Sequence, residues 1–159
     1  MKKKSVFILC ILMLIGVVQT YAYSQESSTY YAGIYEDVIS KKYGLSASIT
    51  VYPEFDDYII FYIKIQKGGP SYSSGTLLGR ARIDNGVATF IDSENYCKLS
   101  LTFTKNSLIV RSLQGQYECG FGGGVIADGT YKRISKKIPS YYIDEDGKRV
   151  YFNELTYEE

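Results

Sequence analysis

The sequence predicts an all-β protein, built as a small antiparallel up-and-down barrel of about eight strands. Three observations predict it: apolar and polar side chains alternate with a period of two through most of the chain, turn residues separate the alternating segments, and no segment offers a convincing helix. A β-sandwich is the alternative arrangement of the same strands.

The beginning of the chain has the three-part layout of a secretion signal. Lys2, Lys3 and Lys4 precede an apolar run from Val6 to Val18, and small residues follow near Ala22. We therefore expect residues 1–22 to be a cleaved signal peptide and the protein to be exported, either to the periplasm or out of the cell. An uncleaved anchor, or a lipid anchor at Cys10, is the alternative. The apolar run is shorter than the roughly 20 residues of a membrane span, so we expect no span in the mature chain.

The remaining chain is long enough for one domain with a single core. We expect a barrel domain over residues 23–138 and a C-terminal hairpin or tail over residues 139–159. Without the three signal lysines the chain keeps 15 basic and 17 acidic residues, and the basic ones form no stripe. This composition argues against a nucleic-acid partner.

The first predicted hairpin consists of two alternating segments around a turn at Pro53–Asp57. Each segment places one set of apolar side chains on the same face. The inward sets are Leu45, Ala47, Ile49 and Val51 on one strand, and Ile59, Phe61, Ile63 and Ile65 on the next. The second strand turns Tyr58, Ile60, Tyr62 and Lys64 outward.

The next predicted element is a loop from Gly68 to Gly75, rich in glycine, proline and serine. A strand follows from Thr76 to Ile83 and turns at Asp84-Asn85-Gly86. Asn-Gly tolerates the positive φ angles of a tight hairpin turn, so the chain returns as a strand from Val87 to Asp92.

A third hairpin is predicted from Cys97 to Phe103 and from Ser107 to Leu113, and it places Cys119 just beyond its open end. Cys97 and Cys119 are an even pair in an exported chain, which predicts a disulfide. Two free thiols or a metal pair are the alternatives. A glycine-rich segment follows the second cysteine, and a last strand begins at Asp128-Gly129-Thr130-Tyr131. Its Gly-x-Tyr pattern repeats Gly33-Ile34-Tyr35, consistent with pairing between the first and last strands.

The absence of histidine removes the commonest general base and metal ligand, and with them the Ser-His and Cys-His nucleophiles. Paired carboxylates remain as a catalytic option, which would make the protein a glycoside hydrolase. Most acidic residues fall in predicted turns, where they are usually solvated. We therefore expect no catalytic site, no metal and no cofactor.

Tyrosine is abundant, with 17 residues, and tryptophan is absent. Rigid amphipathic tyrosine side chains suit recognition of proteins or sugars, although they are also favoured on the outer face of a sheet. If the predicted alternation is right, several tyrosines lie near the serine-rich loop. The candidate partner-binding residues are Tyr58, Tyr62, Ser71, Tyr72, Ser73 and Ser74.

The segment from Cys97 to Arg133 carries Cys119-Gly120-Phe121-Gly122 and then Ala127-Asp128-Gly129-Thr130-Tyr131. It resembles the end of a set of uncharacterised exported bacterial β-barrel domains, which are broadly similar to lipocalin-like barrels and to the small barrels that inhibit lysozymes. The resemblance implies a compact barrel and a role in protecting the cell envelope. Since no inhibitory loop motif of those barrels is present, it transfers no functional residue.

These observations together predict a secreted or periplasmic binding protein without catalytic activity, whose partner is a protein or a small molecule. Inhibition of a lysozyme or another hydrolase through surface loops is the specific version of that hypothesis. Transport of a small apolar ligand in a barrel cavity is the alternative, and a carboxylate-based glycoside hydrolase is a third.

Overall fold

The computed structural model describes residues 28–37, 44–115 and 119–156. The predicted signal at residues 1–22 and Cys10 lie outside the described residues. Eight strands pair antiparallel with their sequence neighbours, and the first pairs with the eighth to close a barrel. The predicted barrel is confirmed, and the β-sandwich alternative is wrong. The strands are β1 (Gly33–Glu36), β2 (Leu45–Pro53), β3 (Tyr58–Lys67), β4 (Ser74–Asp84), β5 (Val87–Asp92), β6 (Cys97–Phe103), β7 (Ser107–Gln114) and β8 (Gly129–Ser135).

The barrel closes because β8 pairs with β7 through its first half and with β1 through its second half. At the seam, Gly33 has a φ of 145°, and a Cβ there would lie 2.1 Å from the carbonyl oxygen of Ser135. Only glycine allows this approach of the two backbones. Arg133 adds a hydrogen bond across the seam by donating to the carbonyl oxygen of Ala32. The expected pairing of the first and last strands is thereby confirmed.

The barrel interior is a continuous apolar core, and it contains the inward residues that the alternation predicts. On β3, Ile59, Phe61, Ile63 and Ile65 are all buried within it. The rings of Phe61 and Phe90 meet edge to face with centroids 5.4 Å apart. A Cβ at Gly79 would lie 2.4 Å from Cζ of Phe61, so β4 needs glycine where this ring crosses it.

Strands β4 and β5 pair only next to their turn, through Ile83–Ala88 and Asp84–Val87. Towards the other end they separate, and the segment after Cys119 lies beside the start of β4. Phe121 forms an isolated antiparallel bridge with Gly75. Its buried side chain joins the core, and we refer to residues 119–125 as the wedge. The long connection between β7 and β8 therefore completes the wall that β4 and β5 leave open.

Beyond the barrel, β9 (Tyr141–Ile143) and β10 (Arg149–Tyr151) form a separate two-stranded hairpin, followed by a 3-10 turn at Phe152–Glu154. This C-terminal hairpin packs on the outside of β2, β3 and β4. Tyr142 stacks on Tyr62 with ring centroids 4.0 Å apart, and Phe152 stacks on Tyr52 at 5.1 Å. Together with Ile60 they form a second apolar cluster. The central part of β3 is consequently buried on both faces.

A helical turn at residues 28–31, which the alternation pattern does not predict, precedes β1. Tyr31 at its end packs against Phe103 with ring centroids 5.2 Å apart, so the turn lies against one end of the barrel. A helix with the length and hydropathy of a transmembrane span is absent from the described ranges.

Candidate binding surface at the disulfide end

The predicted disulfide joins Cys97, the first residue of β6, to Cys119, with their Cα atoms 4.8 Å apart. We call the end of the barrel that carries it the disulfide end. The connections between β3 and β4, between β5 and β6, and between β7 and β8 all lie there, because antiparallel strands alternate in direction. The disulfide therefore fixes the wedge to the end of the β5–β6 hairpin.

The serine-rich loop between β3 and β4 is held at its base by backbone hydrogen bonds. The amide of Lys67 donates to the carbonyl oxygen of Ser73 at 2.8 Å, and that of Gly68 donates to Gly44 at 2.6 Å. The wedge adds a bond from the amide of Gly122 to the carbonyl oxygen of Ser74, at 3.1 Å. The loop is thus closed at its own base and anchored to two neighbouring segments, while its tip faces solvent.

Tyr72 is the most prominent side chain of this loop, and 77% of its surface is exposed. Its backbone has a φ of 47°, which places a bulky residue in the left-handed region. Of the other candidate residues, Ser71 and Ser74 are exposed and Ser73 is half-buried. These four predicted site residues are consecutive in the sequence, and they lie at the disulfide end of the barrel.

A second exposed tyrosine lies at the same end, in the turn between β5 and β6. Tyr96 is 67% exposed and has a φ of 52°, so it repeats the conformation of Tyr72. The carboxylate of Asp92 fixes this turn by accepting from the amides of Glu94 and Asn95, both at 3.1 Å, and from the side chain of Asn95 at 2.8 Å. These hydrogen bonds, chiefly those from Asn95, lower the pKa of Asp92.

Tyr96 is not among the candidate residues predicted from the sequence. The signal that could have found it is the cluster of Asp, Ser and Asn between Asp92 and Asn95, because such residues form turns stabilised by side-chain hydrogen bonds. Tyr96 also directly precedes Cys97. The chain from Tyr72 through Gly75, the wedge and the disulfide to Tyr96 is therefore a continuous series of contacts and covalent links.

Tyr58 and Tyr62, the other two candidates, are not part of this surface. Tyr62 is only 6% exposed because Tyr142 of the C-terminal hairpin covers it. Tyr58 is half-buried at the opposite end of β3, where the guanidinium of Arg80 lies 4.0 Å from the centre of its ring. The expectation that both tyrosines lie in one exposed region with Tyr72 is corrected accordingly.

Glu54 and Asp128, two of the acidic residues, lie at opposite ends of the barrel. Glu54 forms an ion pair with Arg80 at 2.5 Å, near the β2–β3 turn. Asp128 lies at the disulfide end and accepts from the amide of Ser112 at 2.8 Å. Among the described residues, no three acidic or cysteine side chains converge as metal ligands would. In the part of the interior where Phe61 meets Phe90, packed rings occupy the space that a carrier would need.

No protein-family model, curated protein or solved structure matches this chain.

Proposed function

We propose that this protein is an exported binding protein without catalytic activity, which contacts a protein partner through Tyr72 and Tyr96 at the disulfide end. Inhibition of a hydrolase, with lysozymes as the first candidates, is the specific form of the proposal. The observation that carries it is that both tyrosines are exposed and have left-handed backbone conformations.

The left-handed backbone of Tyr72 and Tyr96 is energetically costly. A bulky residue with positive φ costs on the order of 1–3 kcal/mol, and it persists only where its surroundings enforce it. Here the surroundings are the backbone bonds of the loop and the Asp92 carboxylate in the turn. Residues held in this way lose little entropy on binding, which favours affinity.

The tyrosine side chain is itself well suited to binding a protein. A tyrosine offers a large rigid contact area and a hydroxyl that can donate or accept a hydrogen bond, and it has few torsions to immobilise. The exposed serine hydroxyls of Ser71 and Ser74 next to Tyr72 add adaptable polar contacts. This combination is typical of binding loops on rigid β scaffolds.

The compartment is part of the proposal. A disulfide persists in oxidising surroundings such as the periplasm or the extracellular space. The bond between Cys97 and Cys119 is therefore consistent with export directed by residues 1–22.

An inhibition assay with the chain from Tyr23 onward tests the proposal on several types of lysozyme. We expect inhibition of at least one type, and we expect Tyr72→Ala or Tyr96→Ala to weaken it roughly tenfold or more, as for residues at the centre of an interface. Phe55→Ala is the matched control, because Phe55 is 78% exposed but lies in the β2–β3 turn at the opposite end.

Two results would count against the proposal. Absence of inhibition across all lysozyme types would remove the lysozyme-inhibitor form. Inhibition that survives both tyrosine substitutions would exclude the disulfide end as the contact surface.

A further inference from the structure

The end of β8 and the connection to the C-terminal hairpin carry a dense set of basic residues. Four of the six residues from Lys132 to Lys137 are basic and none is acidic. The expectation that the basic residues form no stripe is corrected for this segment. It lies at the end of the barrel opposite the disulfide, because β8 begins beside Asp128 and runs away from it. An inference from this segment is therefore independent of the proposed function.

The alternation of β8 and the path of the connection place most of these charges on the surface. Lys132 and Ile134 share the exposed outer face of the strand, whereas the guanidinium of Arg133 is bound at the barrel seam. Beyond the strand, residues 136–138 are all exposed. We call the exposed residues of this segment the basic patch: Lys132, Ile134, Lys136, Lys137 and Ile138.

The two isoleucines of the basic patch take no part in the packing of the protein. Ile134 is 49% exposed and Ile138 is 51% exposed, and neither belongs to the barrel core or to the second apolar cluster. A single exposed apolar side chain is ordinary on a protein surface. Apolar side chains interleaved with lysines are instead typical of surfaces that lie on a membrane, where they enter the headgroup layer.

The charge of the basic patch is largely uncompensated. In the part of the chain that the structure describes, none of the patch lysines forms an ion pair. Glu36 lies opposite Lys132 on β1 and is the neighbouring acid in the sheet. Lys105 adds a further cation, since the adjacent Asn106 accepts from the amide of Arg133 at 2.8 Å. The patch therefore keeps an excess of positive charge.

The connection that carries the patch is held at both ends. The amide of Lys137 donates to the hydroxyl of Ser135 at 3.3 Å, next to the barrel seam. At the other end, the amide of Phe152 in the docked hairpin donates to the carbonyl oxygen of Ser140 at 3.1 Å. A surface held in this way loses little backbone entropy when it binds.

From this arrangement we infer that the basic patch docks the protein on the surface of a bilayer that contains anionic phospholipids. The lysines contact the lipid phosphates, and their long apolar stems let the ammonium groups reach the headgroups while the isoleucines enter the layer. Each lysine near such a surface strengthens binding about fivefold.

Other polyanions fit the basic patch less well. A single-stranded nucleic acid is bound by stacking on aromatic side chains, and residues 132–138 contain none. An acidic protein is a weaker candidate because protein interfaces are depleted in lysine and favour arginine, whereas the exposed cations here are lysines.

The experiment is cosedimentation with lipid vesicles of the chain from Tyr23 onward, which keeps every described residue. One set of vesicles is phosphatidylcholine alone, and the other contains an equal amount of phosphatidylglycerol. We expect binding to the mixed vesicles at about 0.1 M sodium chloride, at least tenfold weaker binding at about 0.5 M, and no binding to phosphatidylcholine alone. Absence of binding to the mixed vesicles, or equal binding to both sets, would overturn the proposal.

A charge substitution tests the lysines. Lys136→Gln/Lys137→Gln removes two charges from the basic patch, and we expect it to weaken vesicle binding roughly tenfold or more with an unchanged melting temperature. Lys98→Gln/Lys148→Gln is the matched control, because it removes the same net charge from β6 and from the C-terminal hairpin. This control should bind like the native chain. Equal weakening in both variants would mean that net charge alone drives binding and would overturn the assignment to the patch.

An apolar substitution separates a lipid surface from a soluble polyanion. Ile134→Thr/Ile138→Thr keeps the charges, and we expect several-fold weaker vesicle binding. Ile91→Thr is the control, because Ile91 is 60% exposed on the outer face of β5, outside the patch. Polyglutamate is then offered as a polyanion without apolar surface. Binding of polyglutamate as tightly as the vesicles, or native vesicle affinity in the isoleucine variant, would assign the patch to an acidic protein and overturn the lipid proposal.

Discussion

The hydroxyl of Tyr35 donates to the carbonyl oxygen of Tyr31, and that of Tyr131 donates to Ala127, each at 2.7 Å and each four residues back along the chain. The two tyrosines belong to the repeated Gly-x-Tyr pattern on β1 and β8. These strands are antiparallel neighbours, so the bonds tie down the incoming chain at opposite ends of the barrel. The repeat thus corresponds to one local structure used twice.

Both phenols should make the protein sensitive to alkali. Burial raises the pKa of Tyr35 to about 12 from an ordinary value of 10.0, although the charge of Arg133 opposes this, and burial also raises the pKa of Tyr131. The folded state holds these protons more tightly than the unfolded chain does. Its stability is therefore complete below about pH 10 and is lost as the pH rises towards about 12.

The measurement is the urea midpoint of unfolding at about pH 8 and about pH 11. We expect a lower midpoint at the higher pH, and a smaller decrease in Tyr35→Phe, which has one phenol fewer to ionise. At neutral pH this substitution should cost about 1 kcal/mol through the lost hydrogen bond. An equal decrease in both proteins would contradict the role of Tyr35.

The contact between the wedge and β4 should be intolerant of a single methyl group. A Cβ at Gly75 would lie 2.7 Å from Cα of Phe121, which is backbone and cannot move aside cheaply. We expect Gly75→Ala to destabilise the protein by about 1–3 kcal/mol in urea unfolding. Gly123→Ala is the control, because a Cβ there has no atom within 4 Å, and it should be close to neutral. If the two substitutions had equal effects, the wedge would be able to move away from β4 and accommodate the methyl group.

Removal of the disulfide should destabilise the protein and release the wedge. The two cysteines are 22 residues apart, and closing a loop of that length contributes about 3 kcal/mol in the entropy model. Urea unfolding of Cys97→Ser/Cys119→Ser measures this loss. In that background Gly75→Ala should cost less than in the native chain, because the wedge is no longer tethered beside β4. If Gly75→Ala cost the same free energy in both backgrounds, the wedge would keep its position beside β4 without the disulfide.

The C-terminal hairpin should depend on Phe152, whose ring is buried against Tyr52. We expect Phe152→Ala to cost about 3 kcal/mol of docking free energy and to increase amide hydrogen exchange throughout residues 141–151. The control Phe55→Ala should leave exchange in that segment unchanged, since Phe55 is exposed. Unaltered exchange in Phe152→Ala would mean that other contacts dock the hairpin.

A substitution in the β2–β3 turn should increase the stability of the protein. Asp56 and Asp57 have φ angles of 57° and 62°, as in a type I′ turn, where the second central residue is commonly glycine. One carboxylate oxygen of Asp57 is also buried without a hydrogen-bond partner in the described residues. We expect Asp57→Gly to raise the unfolding free energy by about 1 kcal/mol. Lys105→Gly is the control, because Lys105 lies in a turn but has no positive φ, and it should lower the unfolding free energy by up to about 1 kcal/mol. Destabilisation by Asp57→Gly would show that the aspartate makes a compensating interaction.

The alternation of side chains was sufficient to predict the barrel, the inward faces and the hairpin turns, because all three depend on neighbours close in sequence. The disulfide was predictable from the cysteine count and the expected compartment. The burial of Tyr62 was not, since an outward tyrosine on β3 has the same pattern whether solvent or a distant segment covers it. Likewise, the wedge needs a contact between Gly75 and Phe121 that no local pattern encodes.

The double coverage of β3 has a consequence during synthesis. Ile59 to Ile63 is an uncharged run of β-branched and aromatic residues, the kind of segment that assembles between chains when it is left open. Its outer cover arrives late: Lys64 beside this run bonds to Asp144, 80 positions further along. A nascent or truncated chain that has completed the barrel but lacks the hairpin therefore exposes the apolar outer face of β3. By covering this face, the C-terminal hairpin protects the chain from aggregation.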